Sequence, residues 1–198
     1  MKIAVLTFPG FNELDSFIAY GLLNRLHPFG WHAFITTPQD RVVSMNGLEM
    51  QGQQPLEFAN QADIVLFGSG VMTRDIANDE AVLGRLQLNP ARQLIGGQCS
   101  GTLLMAKLGL LQDVPACTDL RTKPWVEQEG INVIDAPFAA QGNVATAGGC
   151  LSAPYLSAWA MLKGAGESAT REALYYAAPV GEKDAYVDKL LDTVRPFC

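Results

Sequence analysis

Residues 92–111 read RQLIGGQCSGTLLMAKLGLL, and the fold turns on how this stretch is read. It begins with Leu94-Ile95-Gly96-Gly97, short and apolar, which predicts a buried strand. It ends with LLMAKLGLL, apolar at helical spacing, which predicts a helix. Between them stand Gly97-Gln98-Cys99-Ser100-Gly101, the Gly-x-nucleophile-x-Gly pattern of a strand-to-helix elbow with Cys as the nucleophile. Such a turn strains the backbone at the nucleophile, and a side chain two residues to either side would collide with the chain folding back. The turn places Cys99 at a helix N-terminus, where free N–H groups and the positive dipole end favour a thiolate. The N–H of Ser100 is then positioned to bind a developing negative charge. The competing reading is a buried Cys packed as a small hydrophobe. A strand before and a helix after favour the elbow.

Working outward, residues 2–8 (KIAVLTF) and 63–67 (DIVLF) are near-continuous apolar runs, as expected of strands covered on both faces. Residues 31–36 predict another strand, and Asn46-Gly47 between the short runs of residues 41–51 predicts a hairpin. Gly68-Ser69-Gly70 follows the DIVLF strand as a turn where backbone can approach a ligand. Residues 114–118, 131–134 and 143–147 read as further strands, the last two joined by a turn. Helices are expected over residues 12–26, 79–86, 100–110, 124–129, 151–162, 168–178 and 182–194. Strands alternating with helices give an α/β fold with a mostly parallel sheet, and nothing divides residues 1–198 into more than one domain.

The totals bound the function. Of 198 residues, 48% are hydrophobic and 17% charged, which supports a substantial core and argues against disorder. A net charge of -6 without a basic cluster speaks against a nucleic-acid partner. No apolar run reaches transmembrane length and the start does not read as a signal peptide, so no membrane partner and a cytoplasmic location are expected. The four cysteines, Cys99, Cys117, Cys150 and Cys198, contain no C-x-x-C pair, so neither a zinc site nor a disulfide scaffold is expected. Only two histidines occur, His27 and His32, both in the first helix–strand unit.

Further candidates are Cys150, Asp119, Arg121 and Trp125. Cys150 follows Gly148-Gly149 at a helix start, where a thiol could react or act as a resolving partner; buried packing is the simpler reading. Asp119 and Arg121 lie on a loop above the elbow and could shape a substrate pocket; a local surface ion pair is the simpler reading. Cys117 reads as strand core and Cys198 as a terminal residue without function. Asp15, in a helix first turn, reads by itself as dipole compensation.

The segments LTFPGFNELDSF, FGSG, GGQCSGTLLMAKLGLL and GNVATAGG together resemble the ThiJ/PfpI family of the class I glutamine amidotransferase-like superfamily. The resemblance covers essentially the whole chain and implies a flavodoxin-like three-layer sandwich. It also implies a nucleophilic Cys99, an acid from the first helix touching it, here Asp15, and an oxyanion site from Gly68, Ser69, Gly70 and Ser100. Three positions depart from the family's pattern. Ser100 stands where PfpI-type proteases carry His, Asp119 stands where many relatives carry a second His, and Gly68-Ser69 replaces a glycine pair. A Cys-His-acid triad is therefore hard to build, which argues against protease and glutamine amidotransferase activity. Isonitrile hydratases resemble the chain in having a first-helix acid and a small hydroxyl residue after the Cys; Asp15, Cys99 and Ser100 fit that pattern. The resemblance implies a cysteine-dependent hydratase or lyase acting on a small molecule without a cofactor or metal, and a homodimer. The alternatives are a redox-responsive protein sensing oxidants through Cys99 and a glyoxalase or deglycase acting on methylglyoxal-type aldehydes.

Overall fold

The computed structural model describes residues 1–198. The elements run β1 (Lys2–Leu6), α1 (Glu13–Leu23), β2 (His32–Thr37), β3 (Arg41–Val43), β4 (Glu49–Gln51), β5 (Gln54–Pro55) and β6 (Ile64–Phe67). They continue with α2 (Thr73–Ala77), α3 (Glu80–Leu83), β7 (Leu94–Gln98), α4 (Gly101–Lys107), α5 (Lys123–Gln128), β8 (Phe138–Gln141) and β9 (Val144–Ala147). The chain closes with α6 (Ala153–Ala165), α7 (Glu167–Ala177) and α8 (Lys183–Val194). Seven strands form one sheet in the order β5-β2-β1-β6-β7-β9-β8, parallel except for the β8–β9 hairpin. β3 and β4 pair separately as the hairpin expected around Asn46-Gly47.

The apolar runs behave as strands buried on both faces because alternate residues feed two cores. Ile3, Ile64 and Leu66 point to a cluster with Leu22, Leu23, Leu156, Trp159, Leu174 and Leu191, the inner surfaces of α1, α6, α7 and α8. Ala4, Leu6, Val65 and Phe67 point to the opposite cluster with Ile76, Leu83, Leu103, Leu104 and Val126, the inner surfaces of α2 to α5. The result is the helix–sheet–helix sandwich of a flavodoxin-like α/β fold.

Several boundaries differ from the sequence expectation. The expected strand 114–118 is loop, and its only β-type pairing is an isolated bridge from Ala116 to Val133. The strand expected at 131–134 is likewise absent, and β9 pairs instead with β8. Pro115 lacks an N–H and Pro137 immediately precedes β8, so the ladder forms only beyond these prolines. Helix α2 has no counterpart among the expected helices; its five residues are too few for a periodic signal.

The order of strands positions the site. The chain moves from β1 outward to β2, then returns to β6 on the other side of β1. At this reversal the loops after the parallel strands diverge and leave a crevice beyond their carboxyl ends. The loops after β1, β6, β7 and β9 all open there, and they lead to or carry Asp15, Ser69, Cys99 and Cys150.

Candidate active site

Cys99 follows β7 directly and has a φ of 51°, a left-handed conformation rare for a residue with a side chain. Three features hold it there: its N–H donates to the Ala147 carbonyl at 2.8 Å, its carbonyl accepts the Thr118 hydroxyl at 2.8 Å, and α4 begins two residues later. Gly101 explains the second glycine of the motif. A Cβ there would lie 2.5 Å from the Phe67 carbonyl oxygen and 2.7 Å from that of Gly68, both main-chain atoms that cannot turn aside.

Two carboxyl groups flank the sulfur. Sγ of Cys99 donates to Oδ2 of Asp119 at 3.4 Å, while the other oxygen of Asp119 accepts the N–H groups of Arg121 and Thr122 at 2.9 and 3.1 Å. Asp119 is thus fixed by backbone at the start of α5, and the ion pair with Arg121 does not form. On the opposite side lies Asp15, on the buried face of α1 and 1% exposed. The Ser69 hydroxyl donates to its Oδ2, and its Oδ1 has no hydrogen-bond partner. The other acid of that first turn, Glu13, accepts from Ser44 and Asn46 and fastens the β3–β4 hairpin. Cys150 joins from the turn after β9: one oxygen of Asp15 and the sulfurs of Cys99 and Cys150 lie within 4.8 Å of one another.

The electrostatics run against a resting thiolate. Burial raises the Cys99 thiol most, the charges of Asp15, Asp119 and Cys150 add to it, and only the Ser100 N–H opposes, so the thiol is held far above the usual cysteine range. The dipole expected to lower it comes from α4, seven residues long, and is outweighed. Burial likewise lifts Asp15 to about 6, with the Ser69 hydroxyl and the Cys150 thiol pulling down and Asp119 pushing up. Burial is also the main cause of the upward shift of Cys150. Cys99 and Asp15 therefore titrate as a pair.

The turn after β6 is more constrained than its sequence suggests. The N–H of Gly68 donates to the Leu6 carbonyl at 3.0 Å, and that of Gly70 donates to the Ser100 hydroxyl at 3.2 Å. Neither is free for an oxyanion. The Ser69 N–H has no main-chain acceptor, and the Ser100 N–H is directed at the Cys99 sulfur. The Ser100 hydroxyl also meets the Thr73 hydroxyl at 2.9 Å, so its side chain ties α2 to the elbow.

A cleft of about 230 Å³ opens onto the Cys99 sulfur. Asp119, Arg121, Ser69, Gly70 and Ser100 line it, together with residues the sequence left unassigned, among them Asn12, Thr73 and Arg74. Cys150 and Asp15 do not themselves line it; both adjoin the Cys99 sulfur, and Cys150 reaches the cleft through Asn12. Trp125 closes one side with the Arg74 guanidinium 4.9 Å from its ring centre. Asn12 carried only a helix-start signal; it caps α1 by accepting from the Leu14 N–H and donates through Nδ2 to the Cys150 sulfur at 3.0 Å. His27 and His32 meet edge to face with ring centres 4.5 Å apart, and His32 opens β2 at the end of the sheet opposite the cleft. Cys117 is fully buried but in loop rather than strand, and Cys198 is exposed.

No protein-family model matches the chain, and no curated protein does. Solved structures do. DJ-1 from Schizosaccharomyces pombe is similar with a TM-score of 0.77 at 17% identity, over 90% of this chain and 100% of that one. A ThiJ/PfpI family protein from Pseudomonas syringae is similar with a TM-score of 0.80 at 18% identity, over 98% of this chain and 87% of that one. DJ-1beta from Drosophila melanogaster gives 0.76 at 18% identity, over 89% of this chain and 96% of that one. The chain thus has the fold of the DJ-1 and ThiJ/PfpI proteins, and at these identities the likeness extends to the fold alone.

Proposed function

We propose that the protein is a cysteine-dependent hydratase that converts a small isonitrile to an N-substituted formamide. One observation carries this reading: the Cys99 thiol stands between two carboxyl groups, Asp119 at 3.4 Å and Asp15 on the inner side, with both histidines at the far end of the sheet. Addition to R–N≡C needs a group to take the thiol proton and a group to protonate the terminal carbon. A neutral thiol with a carboxylate acceptor and a neighbouring acid that titrates near 6 supplies both.

The Cys99 sulfur bonds to the terminal carbon while its proton passes to Asp119 and the Asp15 proton passes to that carbon, giving the thioimidate R–N=CH–S. Water adds to the thioimidate carbon and one of its protons reaches nitrogen; as the C=O forms and the C–S bond breaks, the other water proton restores Asp15 and Asp119 returns its proton to sulfur. The products are R–NH–CHO and the free thiol, with Asp15 and Asp119 back in their starting states. The N–H groups of Ser69 and Ser100 are the donors left for charge developing during water addition. The cleft's small volume suits a small substituent R.

The reading extends to a homodimer. It is supported by an apolar groove between α1 and α7 lined by Phe17, Ile18, Leu22, Leu151, Pro154 and Tyr176, of which Leu151 and Tyr176 are exposed by 75% and 70%.

The deciding assay supplies cyclohexyl isocyanide and follows the formamide by chromatography. Wild type should turn it over and Cys99→Ala should not. No turnover above that control would sink the hydratase reading, and consumption of methylglyoxal instead would make Asp119 the base of a glyoxalase.

A further inference from the structure

We infer that Asp15, Cys99 and Cys150 form a binding site for one thiophilic divalent cation of the zinc or cadmium class, on geometry that holds whether or not the protein is a hydratase.

Placement comes first. Three elements distant in sequence, α1, the elbow and the turn after β9, bring two sulfurs and a carboxylate oxygen within 4.8 Å of one another. Donors around a tetrahedral zinc stand roughly 3.5–3.8 Å apart, so rotation of the two cysteine side chains by about 1 Å at sulfur closes the set. The lack of a C-x-x-C pair removes a zinc ribbon from consideration but does not bear on donors assembled by folding.

One donor is unspent. Asp15 is 1% exposed, its Oδ2 is held by the Ser69 hydroxyl, and its Oδ1 meets no hydrogen-bond partner. Buried carboxylate oxygens are ordinarily satisfied. Ser69 orients the carboxyl as an outer group orients a metal ligand, and Asn12 does the same for Cys150 through the 3.0 Å contact from Nδ2 to its sulfur.

Charge points the same way. Neither Asp15 nor Asp119 forms an ion pair with any Lys, Arg or His. Buried Asp15 and half-buried Asp119 therefore flank the Cys99 sulfur without a countercharge. A bound dication would be that countercharge.

The donor mix selects the ion. Two sulfurs with one carboxylate oxygen favour zinc or cadmium over magnesium or calcium, which take all-oxygen sets. Binding exchanges the two S–H protons, released to solvent, for two metal–sulfur bonds. A water molecule would complete the set as the fourth donor. A cation so placed occupies the Cys99 sulfur and holds it away from any electrophile.

The test uses the reduced full chain and cadmium chloride alone, read by equilibrium dialysis and by the ultraviolet thiolate-to-cadmium charge-transfer absorption. One ion per chain is expected. Cys150→Ser and Asp15→Asn should each weaken binding at least tenfold, and Cys150→Ser should roughly halve the charge-transfer intensity. Cys198→Ala, at the exposed terminus, should bind as wild type does. Thermal melts of each variant establish that it is folded. The inference is overturned if no ion is retained, if affinity is unchanged in either folded ligand variant, or if binding is lost with Cys198. Turnover enters none of these readouts, so failure of the hydratase assay leaves the result standing and the converse also holds.

Discussion

The Cys99 sulfur lies 3.4 Å from Oδ2 of Asp119, and Oδ1 of the same carboxylate receives the N–H groups of Arg121 and Thr122 in the turn just before α5. One side chain thus faces the nucleophile with one oxygen and holds the turn that leads into α5 with the other. Asp119→Asn separates the two roles, because an amide oxygen can still accept the N–H groups of the turn but the residue cannot take a proton. The expected outcome is a fall in kcat/KM for isonitrile of about a hundredfold with α5 retained. Steady-state kinetics beside circular dichroism measures it, and an unchanged kcat/KM would remove Asp119 from the mechanism.

Asp15 makes a prediction about stability with a definite sign. Its folded pKa, about 6, lies above the ordinary value of 3.8, so between these values the folded state holds more protons than the unfolded one. Stability contributed by the neutral acid is present at low pH and is lost as pH rises from about 4 through about 6. Asp15→Asn should abolish that decline and raise stability above pH 6 by up to about 3 kcal/mol, while lowering turnover on the order of a hundredfold. Urea denaturation at pH 4, 6 and 8 is the measurement. A variant that is less stable than wild type at pH 8 contradicts the assignment.

Alkylation should report the raised thiol. Iodoacetamide labelling of Cys99 in the native protein should keep rising above about pH 9 rather than levelling near neutrality. Because Asp15 and Asp119 both push the thiol upward, neutralising either as Asn should move the onset to lower pH. Mass spectrometry of each cysteine peptide against pH reads this directly. A Cys99 fully labelled at pH 6 would mean that the thiolate is stabilised by something other than the groups described.

Two glycine substitutions should have opposite signs. Gly101→Ala drives a methyl into the carbonyls of Phe67 and Gly68 and should destabilise by about 1–3 kcal/mol. Gly21→Ala, inside α1 with nothing within 4 Å of the added Cβ, should stabilise by about 0.5–1 kcal/mol. Chemical denaturation of the pair against wild type tests both, and equal shifts would count against the elbow's close packing.

The groove beside α1 and α7 predicts self-association. Sedimentation at micromolar concentration should show a dimer, and Tyr176→Glu with Leu151→Glu should dissociate it. A wild-type monomer would end the claim.

Most of the sheet is legible in the sequence because its inner strands are buried on both faces and read as unbroken apolar runs; Ile64 to Phe67 could hardly be anything else. The elbow is legible because its glycines answer to local sterics. Residues 114–118 and 131–134 on either side of α5 are not, since their short apolar pieces bury themselves against loop and helix instead of joining the ladder. Asp15 and Cys150 illustrate a second limit. Their neighbourhood depends on four loops meeting at one end of the sheet, and no periodicity along the chain encodes that meeting. The direction of the Cys99 shift escapes the sequence for the same reason: the helix start is local in sequence, whereas the burial and the two carboxylates that outweigh it come from tertiary structure.

Trp125 gives the molecule an optical gauge of its own chemistry. Its indole borders the cleft on α5, just beyond the turn that Asp119 holds, whereas Trp31 and Trp159 are sealed in the core on the other side of the sheet. Any group added to the Cys99 sulfur ends the donation to Asp119 and arrives beside that indole. Its emission should therefore change with each turnover, each adduct and each bound ion, while the other two tryptophans supply a constant background against which a single active-site event can be timed without any label.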